Sequence, residues 1–387
     1  MYHPRVKRIL SFYIIREISS LFLLGIVIFT LVLLMGRLIS LTDLVVSHGV
    51  PIADVSRMIL YLIPSFLVLT IPMAFLLAVL LAFGRLSADN EIVVLKASGL
   101  SLVQMLPPVI VCALVAVLLG LGASSIGVPW GNSAFRELSL QVLKRNITAT
   151  IREKTFWDDI PGVVMYTEQY DEVSHTLKGV VISDGRNPDR PMTIFARDGI
   201  ITSAAGSQAL LLSLHNGSIH IAGNAGLYRL VHFGEYDMTV GEKANGAARS
   251  RKEPDMRLSE LQDRINDSGT SAMDRLKMLT EFHSRFTFPF ASLVFAILAV
   301  PLGIQNRRSG KSGGFTVSIS IILAYYVLTA VVRNLAEKGD VPPAIMLWVP
   351  NLVFFTAGWI FLRMASLEKN IPFIPLKNIL EYFKKAS

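Results

Sequence analysis

The sequence is short of charge. Only 17% of its 387 residues are Asp, Glu, Lys or Arg, where a water-soluble domain carries about 25%. It has a single cysteine, Cys112. No disulfide can form within the chain, and cysteine usage says nothing about compartment. Basic residues outnumber acidic ones, 37 to 29. Yet no stretch has the dense Lys/Arg run with interleaved aromatics that a nucleic-acid groove requires, so nucleic acid is excluded as a partner. The first apolar run also lacks an A-x-A-like cleavage site. It follows Arg5, Lys7, Arg8 and Arg16 and ends in Met35-Gly36-Arg37, which reads as an uncleaved membrane span.

Apolar sequence is what the chain has in excess: 52% of residues are hydrophobic. It falls into six long runs, Ile18–Leu38, Met58–Phe83, Leu102–Val128, Phe286–Ile304, Phe315–Val332 and Ile345–Leu362. A bilayer core about 30 Å thick requires roughly 20 apolar residues of helix, so each run is read as a transmembrane helix. The expected fold class is an α-helical membrane protein of six spans, with an all-β, jellyroll-like domain inserted between the third and fourth. The expected domains are 1–128, then 129–285, then 286–387, the last including a basic tail.

The runs hold no Asp, Glu or His. That weakens a proton- or ion-coupled transporter, which places such a group near the midplane. It equally weakens an intramembrane protease. Prolines are frequent: Pro64 and Pro72, Pro107 and Pro108, Pro289 and Pro301, and Pro350. They are expected to kink the spans. Ala74, Ala78 and Ala82 repeat at small-xxx-small spacing, which lets helices approach closely, within the chain or with a partner.

Lys and Arg in short loops set orientation. Arg5, Lys7, Arg8, Arg16, Arg85, Lys96, Arg307, Arg308, Lys311 and four tail lysines with Arg363 lie on one side. Only Arg37, Arg57, Arg333 and Lys338 lie on the other. Both termini are therefore expected in the cytoplasm, and 129–285 outside it, in the periplasm of a two-membrane cell. Arg37 and Arg333 fall at the outer ends of the first and fifth spans. They read either as interfacial snorkelling residues or as binders of lipid phosphate, which guanidinium groups recognise bidentately.

Between Val163 and Val240 short β-type runs alternate with Asp184-Gly185, Asn187-Pro188-Asp189, Asp198-Gly199, Asn216-Gly217 and Gly223-Asn224-Ala225-Gly226. Such dipeptides tolerate positive φ and predict turns between about eight short strands, arranged as a sandwich, jelly roll or curved open sheet. That module reads as a rigid spacer or as a groove for an apolar ligand. Gly241–Pro254 reads as a polar linker, and Arg257–Glu281 as one or two short helices.

The chain lacks a nucleotide motif. Gly310-Lys311-Ser312 invites one, but a phosphate loop requires a glycine five residues before the last glycine, where Gln305 stands. The loop after the second span is more informative. In Ser87-Ala88-Asp89-Asn90-Glu91-Ile92-Val93-Val94-Leu95-Lys96-Ala97-Ser98-Gly99, Ser87 is expected to cap a helix over about 87–99. Asp89 and Glu91 complement its dipole and Gly99 ends it. A short, partly apolar helix there suits docking into a groove of a soluble partner.

Asp89–Gly99 resembles the coupling-helix motif of the LptF/LptG (YjgP/YjgQ) permeases of the lipopolysaccharide export ABC transporter. Glu281-Phe282-His283-Ser284-Arg285-Phe286-Thr287-Phe288-Pro289, running on through Ala299-Val300-Pro301-Leu302, is a second match. The order of three spans, β module and three spans covers the whole chain. Pro301-Leu302 and Trp348-Val349-Pro350-Asn351 favour the LptF-like branch. The resemblance implies a permease subunit without catalytic residues or a cofactor of its own, located in the bacterial inner membrane. ATP would be used by a cytoplasmic ATPase dimer of LptB type. The other partners implied are a homologous LptG-like permease and periplasmic bridge proteins of LptC/LptA type. Lipopolysaccharide would be drawn from the inner membrane, passed to the β module and carried towards the outer membrane. It places Glu91, with Asp89 and Lys96, at the ATPase coupling site, and Arg37 and Arg333 near lipid phosphates. A membrane scaffold or receptor whose β domain binds a protein is the alternative. Four-span lipoprotein-transport families are disfavoured, because their outer domain follows the first span.

Overall fold

The structure is a computed structural model. It describes residues 4–48, 50–150, 154–160, 162–171, 176–185, 191–203, 210–222, 228–240, 253–305, 310–339 and 341–368. Ten α-helices are described: α1 (Pro4–His48), α2 (Ile52–Ala88), α3 (Glu91–Ala97), α4 (Leu106–Gly122), α5 (Val128–Thr150), α6 (Leu258–Asn266), α7 (Ala272–Gln305), α8 (Gly310–Lys338), α9 (Pro343–Met346) and α10 (Val349–Ser366). Among the described residues six helical segments are long and apolar enough to cross a membrane: Arg8–Leu38, Ile52–Ala88, Leu102–Ser139, Ala272–Gln305, Gly314–Lys338 and Pro343–Ser366. An antiparallel sheet lies in sequence between the third and fourth. The chain divides into two compact units, one of Met1–Leu38, Ile59–Ser133 and Lys252–Ser387, the other of Ile39–Met58 and Ala134–Arg251.

In the first unit α2 and α7 are innermost. Their apolar windows are 67% and 72% buried, against a third or less for the other four. Lipid tails are as apolar as leucine, so van der Waals fit between helices has to supply the attraction. Ala74, Ala78 and Ala82 are fully buried, and a Cβ built on Gly25 of α1 would stand 3.1 Å from the Ala74 side chain. The small-residue stripe of α2 is thus used within the chain. Pro64, Pro72, Pro289 and Pro301 lie inside α2 and α7, as expected. Pro107 and Pro350 instead lie in the first turns of α4 and α10, where a missing N–H removes no helical bond. A π-helical turn over Ala123–Gly127 joins α4 to α5 and precedes Pro129. The helix therefore continues to Thr150, well beyond the apolar run. The segment before the fourth span also departs from expectation. Only α6 is a separate short helix; from Ala272 onward the chain is one helix with the span.

In the second unit β1 (Phe156–Ile160), β2 (Val163–Asp171), β3 (Thr176–Asp184), β4 (Met192–Ser203), β5 (Leu210–Ala222) and β6 (Tyr228–Val240) form one sheet in sequential order. Among the described residues there are six strands where about eight were expected, because Asp198-Gly199 and Asn216-Gly217 lie inside β4 and β5. These dipeptides mark a crease. The buried face runs through Val163 and Met165 on β2 but then through Tyr170; on β3 it passes from Leu177 to Val180; on β5 from Leu214 to Ile219. The register puts Glu168, Gly179, Arg197, Asn216 and Gly234 side by side across five strands, and the pleat inverts along that line. Gly179 has φ +62°, and a Cβ there would lie 2.8 Å from the Glu168 Cβ. Asn216 takes φ 55°, and a Cβ on Gly217 would strike the Phe195 carbonyl and the Phe233 ring. The chemistry that signals a hairpin turn here bends a continuous strand. The expected turns at 187–189 and 223–226, most of the linker 241–254 and the tail from residue 369 lie outside the described residues.

Candidate functional site

The segment after α2 folds differently from the sequence expectation. Ser87 does not cap a new helix; it is still within α2, and its hydroxyl donates to the Ile304 carbonyl at the end of α7, at 2.7 Å. Asn90 makes the break by adopting φ 59°. α3 then spans only Glu91–Ala97 and closes at Gly99, whose φ is +83°. Seven residues of helix are marginal alone, so α3 depends on what holds it. Ile92 is buried in the main apolar core. Lys96 pairs with Glu368, just past α10, at 3.5 Å. A cavity of about 620 Å³ separates α3 from the ends of α7 and α10, lined by Ile92, Val93, Lys96, Pro301, Ile304 and Glu368 among others. Val93 and Val94 are turned outward, 47% and 63% exposed. Asp89 is also exposed.

Glu91 is not turned outward. The Tyr13 hydroxyl of α1 donates to its carboxylate, 2.9 Å from Oε2 and 3.1 Å from Oε1. Arg85 Nη2 donates to the same Tyr13 oxygen at 2.8 Å, and Arg85 Nε lies 2.9 Å from Glu17 Oε1 in an ion pair. Tyr13 and Glu17 are four residues apart and so share one face of α1. Sequence reasoning missed Tyr13, Glu17 and Arg85. The i,i+4 spacing was the one available signal, and it does not reveal the partner helix.

A second charged cluster joins α7 and α8. Glu281 Oε1 accepts from Arg285 Nε at 3.3 Å, and Oε2 from Arg333 Nη2 at 3.1 Å. Arg333 Nε also donates to Glu337 at 3.2 Å. Arg285 is 2% exposed and its Nη2 donates to the carbonyls of Glu253 and Pro254, tying the strand-to-helix return to α7. The span Phe286–Ile304 itself holds no acidic residue, but the helix begins earlier and buries Glu281 ahead of it. Arg333 is therefore committed to two carboxylates. Arg37 is exposed at the far end of the first span, with no ion pair among the described residues. The structure does not bring Arg37 and Arg333 into contact, nor either of them with Glu91. Among the described residues there is no group of metal-ligating side chains.

Residues 12–364 match the family model for the lipopolysaccharide export system permease LptF/LptG. The chain belongs to the LptF/LptG family. The lipopolysaccharide export system permease protein LptF of Escherichia coli K12 is similar, 23% identical over 349 residues that cover 88% of this chain and 91% of that protein. The protein of the same name from Shigella flexneri matches to the same extent. An uncharacterized protein of Rickettsia prowazekii is 22% identical over 301 residues, 76% of this chain and 82% of its own length. Both charged clusters of this LptF/LptG chain lie within the matched residues. So do the sheet, four of the six membrane-spanning helices whole, and all but the first and last few residues of the other two.

Proposed function

We propose that this chain is the permease subunit of an exporter that draws lipopolysaccharide out of the inner membrane. It works beside a homologous permease of LptG type, and a separate ATPase dimer of LptB type supplies the energy. The observation that carries this reading is α3: a helix too short to stand alone, anchored by Ile92 and offering Val93 and Val94 to a partner. A groove on the ATPase would cover these valines while its charged rim meets Asp89, Glu91 and Lys96. In this reading both termini are cytoplasmic and the creased sheet is periplasmic. Its apolar cluster, with Leu177, Ile182, Ile194 and Leu214 at its centre, is suited to acyl chains, which pass on to bridge proteins of LptC/LptA type. In this reading the exposed Arg37 meets lipid phosphate, which a guanidinium recognises bidentately.

Two measurements test it. Depleting the protein and following newly made lipopolysaccharide should leave the lipid in the inner membrane; normal arrival at the outer membrane would defeat the export reading. Glu91→Lys should uncouple ATP hydrolysis from lipid release in reconstituted vesicles. Unchanged coupling would remove α3 from the ATPase contact. A scaffold whose β unit binds only protein would give photo-crosslinks from that unit to protein and none to lipid.

A further inference from the structure

We propose that Tyr13 is a positioning residue that ties the first membrane helix to the state of Glu91, so that whatever engages the Glu91 carboxylate is felt by α1. The proposal rests on the reading of α3 as the ATPase docking element. Four side chains from three helices form one connected chain: Glu17 and Tyr13 on α1, Arg85 at the end of α2, and Glu91 at the start of α3. Next to these polar contacts, Ile14 and Ile18 of α1 are buried in the apolar core. Its neighbours Ile9 and Phe12 are 71% and 68% exposed.

The chemistry of the contact makes it exchangeable. A phenol has one proton to donate, and the Tyr13 hydroxyl shares it between both Glu91 oxygens. The phenol brings no charge of its own, whereas a cationic side chain of a docking partner adds ion-pair attraction to its charge-assisted hydrogen bond. It would take at least one of those oxygens. The Tyr13 hydroxyl would then keep only its bond from Arg85, which Glu17 also holds. Occupation of Glu91 from outside therefore loosens the link between α3 and α1, and its release restores it. The bond is half-buried, not sealed, which leaves room for this exchange. Lys96 of α3 pairs with Glu368 beyond α10, so the Tyr13–Glu91 bonds are the side-chain hydrogen bonds that join α3 to the first span among the described residues.

The test uses the full chain in complex with its partner permease and ATPase dimer, in vesicles containing lipopolysaccharide. Tyr13→Phe keeps the ring and removes the hydroxyl. Lipid released per ATP hydrolysed should fall by about tenfold or more, tenfold being the low end of what one hydrogen bond to a charged group is worth. Tyr13→Phe combined with Glu91→Ala should fall no further than Glu91→Ala alone. A nitroxide at Phe12→Cys, in a Cys112→Ala background, supplies a readout that simple loss of stability would not give. Adding the ATPase dimer should change its line shape when Tyr13 is present and leave it unchanged in Tyr13→Phe. An equal response in both proteins, or multiplicative losses in the double variant, would overturn the proposal. If Glu91→Lys also leaves coupling intact, the docking reading fails with it; if Glu91→Lys uncouples while Tyr13→Phe does not, only the Tyr13 proposal falls.

Discussion

Glu281 and Arg285 stand one helical turn apart on α7, with Nε 3.3 Å from Oε1, and both side chains are buried. Two buried charges recover their desolvation only through each other and through further hydrogen bonds. Here Arg333 supplies the second cation, and the carbonyls of Glu253 and Pro254 complete most of the Arg285 fork. Of the three Arg285 side-chain nitrogens, Nη1 is the one without a hydrogen-bond partner among the described residues.

Removing one member should therefore cost more than removing both. Glu281→Leu strands a buried guanidinium and should lower stability by about 3–5 kcal/mol. Glu281→Leu with Arg285→Met should be less destabilised than the sum of the single changes. Thermal unfolding of the purified protein in detergent checks the direction and the non-additivity.

The two outer arginines should behave differently. Arg37→Ala should reduce photo-crosslinking to lipopolysaccharide with little change in melting temperature, because Arg37 is exposed and makes no described ion pair. Arg333→Ala should lower the melting temperature, since it removes a partner from Glu281 and from Glu337. Equal lipid crosslinking by Arg37→Ala and the unaltered protein would reject Arg37 as a phosphate contact.

Asn351 of α10 accepts from Tyr325 of α8 at 2.9 Å and donates to the Thr287 carbonyl of α7 at 2.9 Å. One amide thus joins three helices in a site that is almost fully buried. Asn351→Leu should destabilise the protein by about 1–2 kcal/mol, the range for polar contacts between membrane helices. Its melting temperature should be compared with that of Tyr325→Phe, which removes only one of the two bonds and should lie between Asn351→Leu and the parent.

Gly179 holds the crease of the sheet. Gly179→Val puts a β-branched residue at φ +62° and against Glu168, at a cost of roughly 1–3 kcal/mol in backbone strain alone. Hydrogen exchange of the full chain should accelerate in β2 and β3 and stay unchanged in α2 and α7. Exchange as slow as in the parent would mean that the crease tolerates a side chain.

Much of this molecule was legible in its residues. Hydropathy alone located six spans, because a bilayer demands a long uninterrupted apolar helix and little else in a sequence produces one. The absent glycine at Gln305 removed the nucleotide reading. Asp89–Gly99 was recognisable as a separate short element. The strand content of 163–240 was also visible, but its turn chemistry misled at Asp198-Gly199 and Asn216-Gly217. A residue pair that tolerates positive φ does so in a crease as readily as in a hairpin, and only the ladder with neighbouring strands decides between them.

What the sequence determined by itself is local: apolar length, helix breaks, the placement of charge at the ends of spans. What the tertiary structure decided is partnership. Tyr13 meets Glu91 across 78 positions, Arg333 meets Glu281 across 52, and Ser87 meets the Ile304 carbonyl across 217. Periodicity tells which face a side chain occupies, not which helix arrives opposite it. That depends on close packing set by the small residues of α2 and their fit to α1, so the contacts that make Glu91 and Arg333 informative came only with the folded chain.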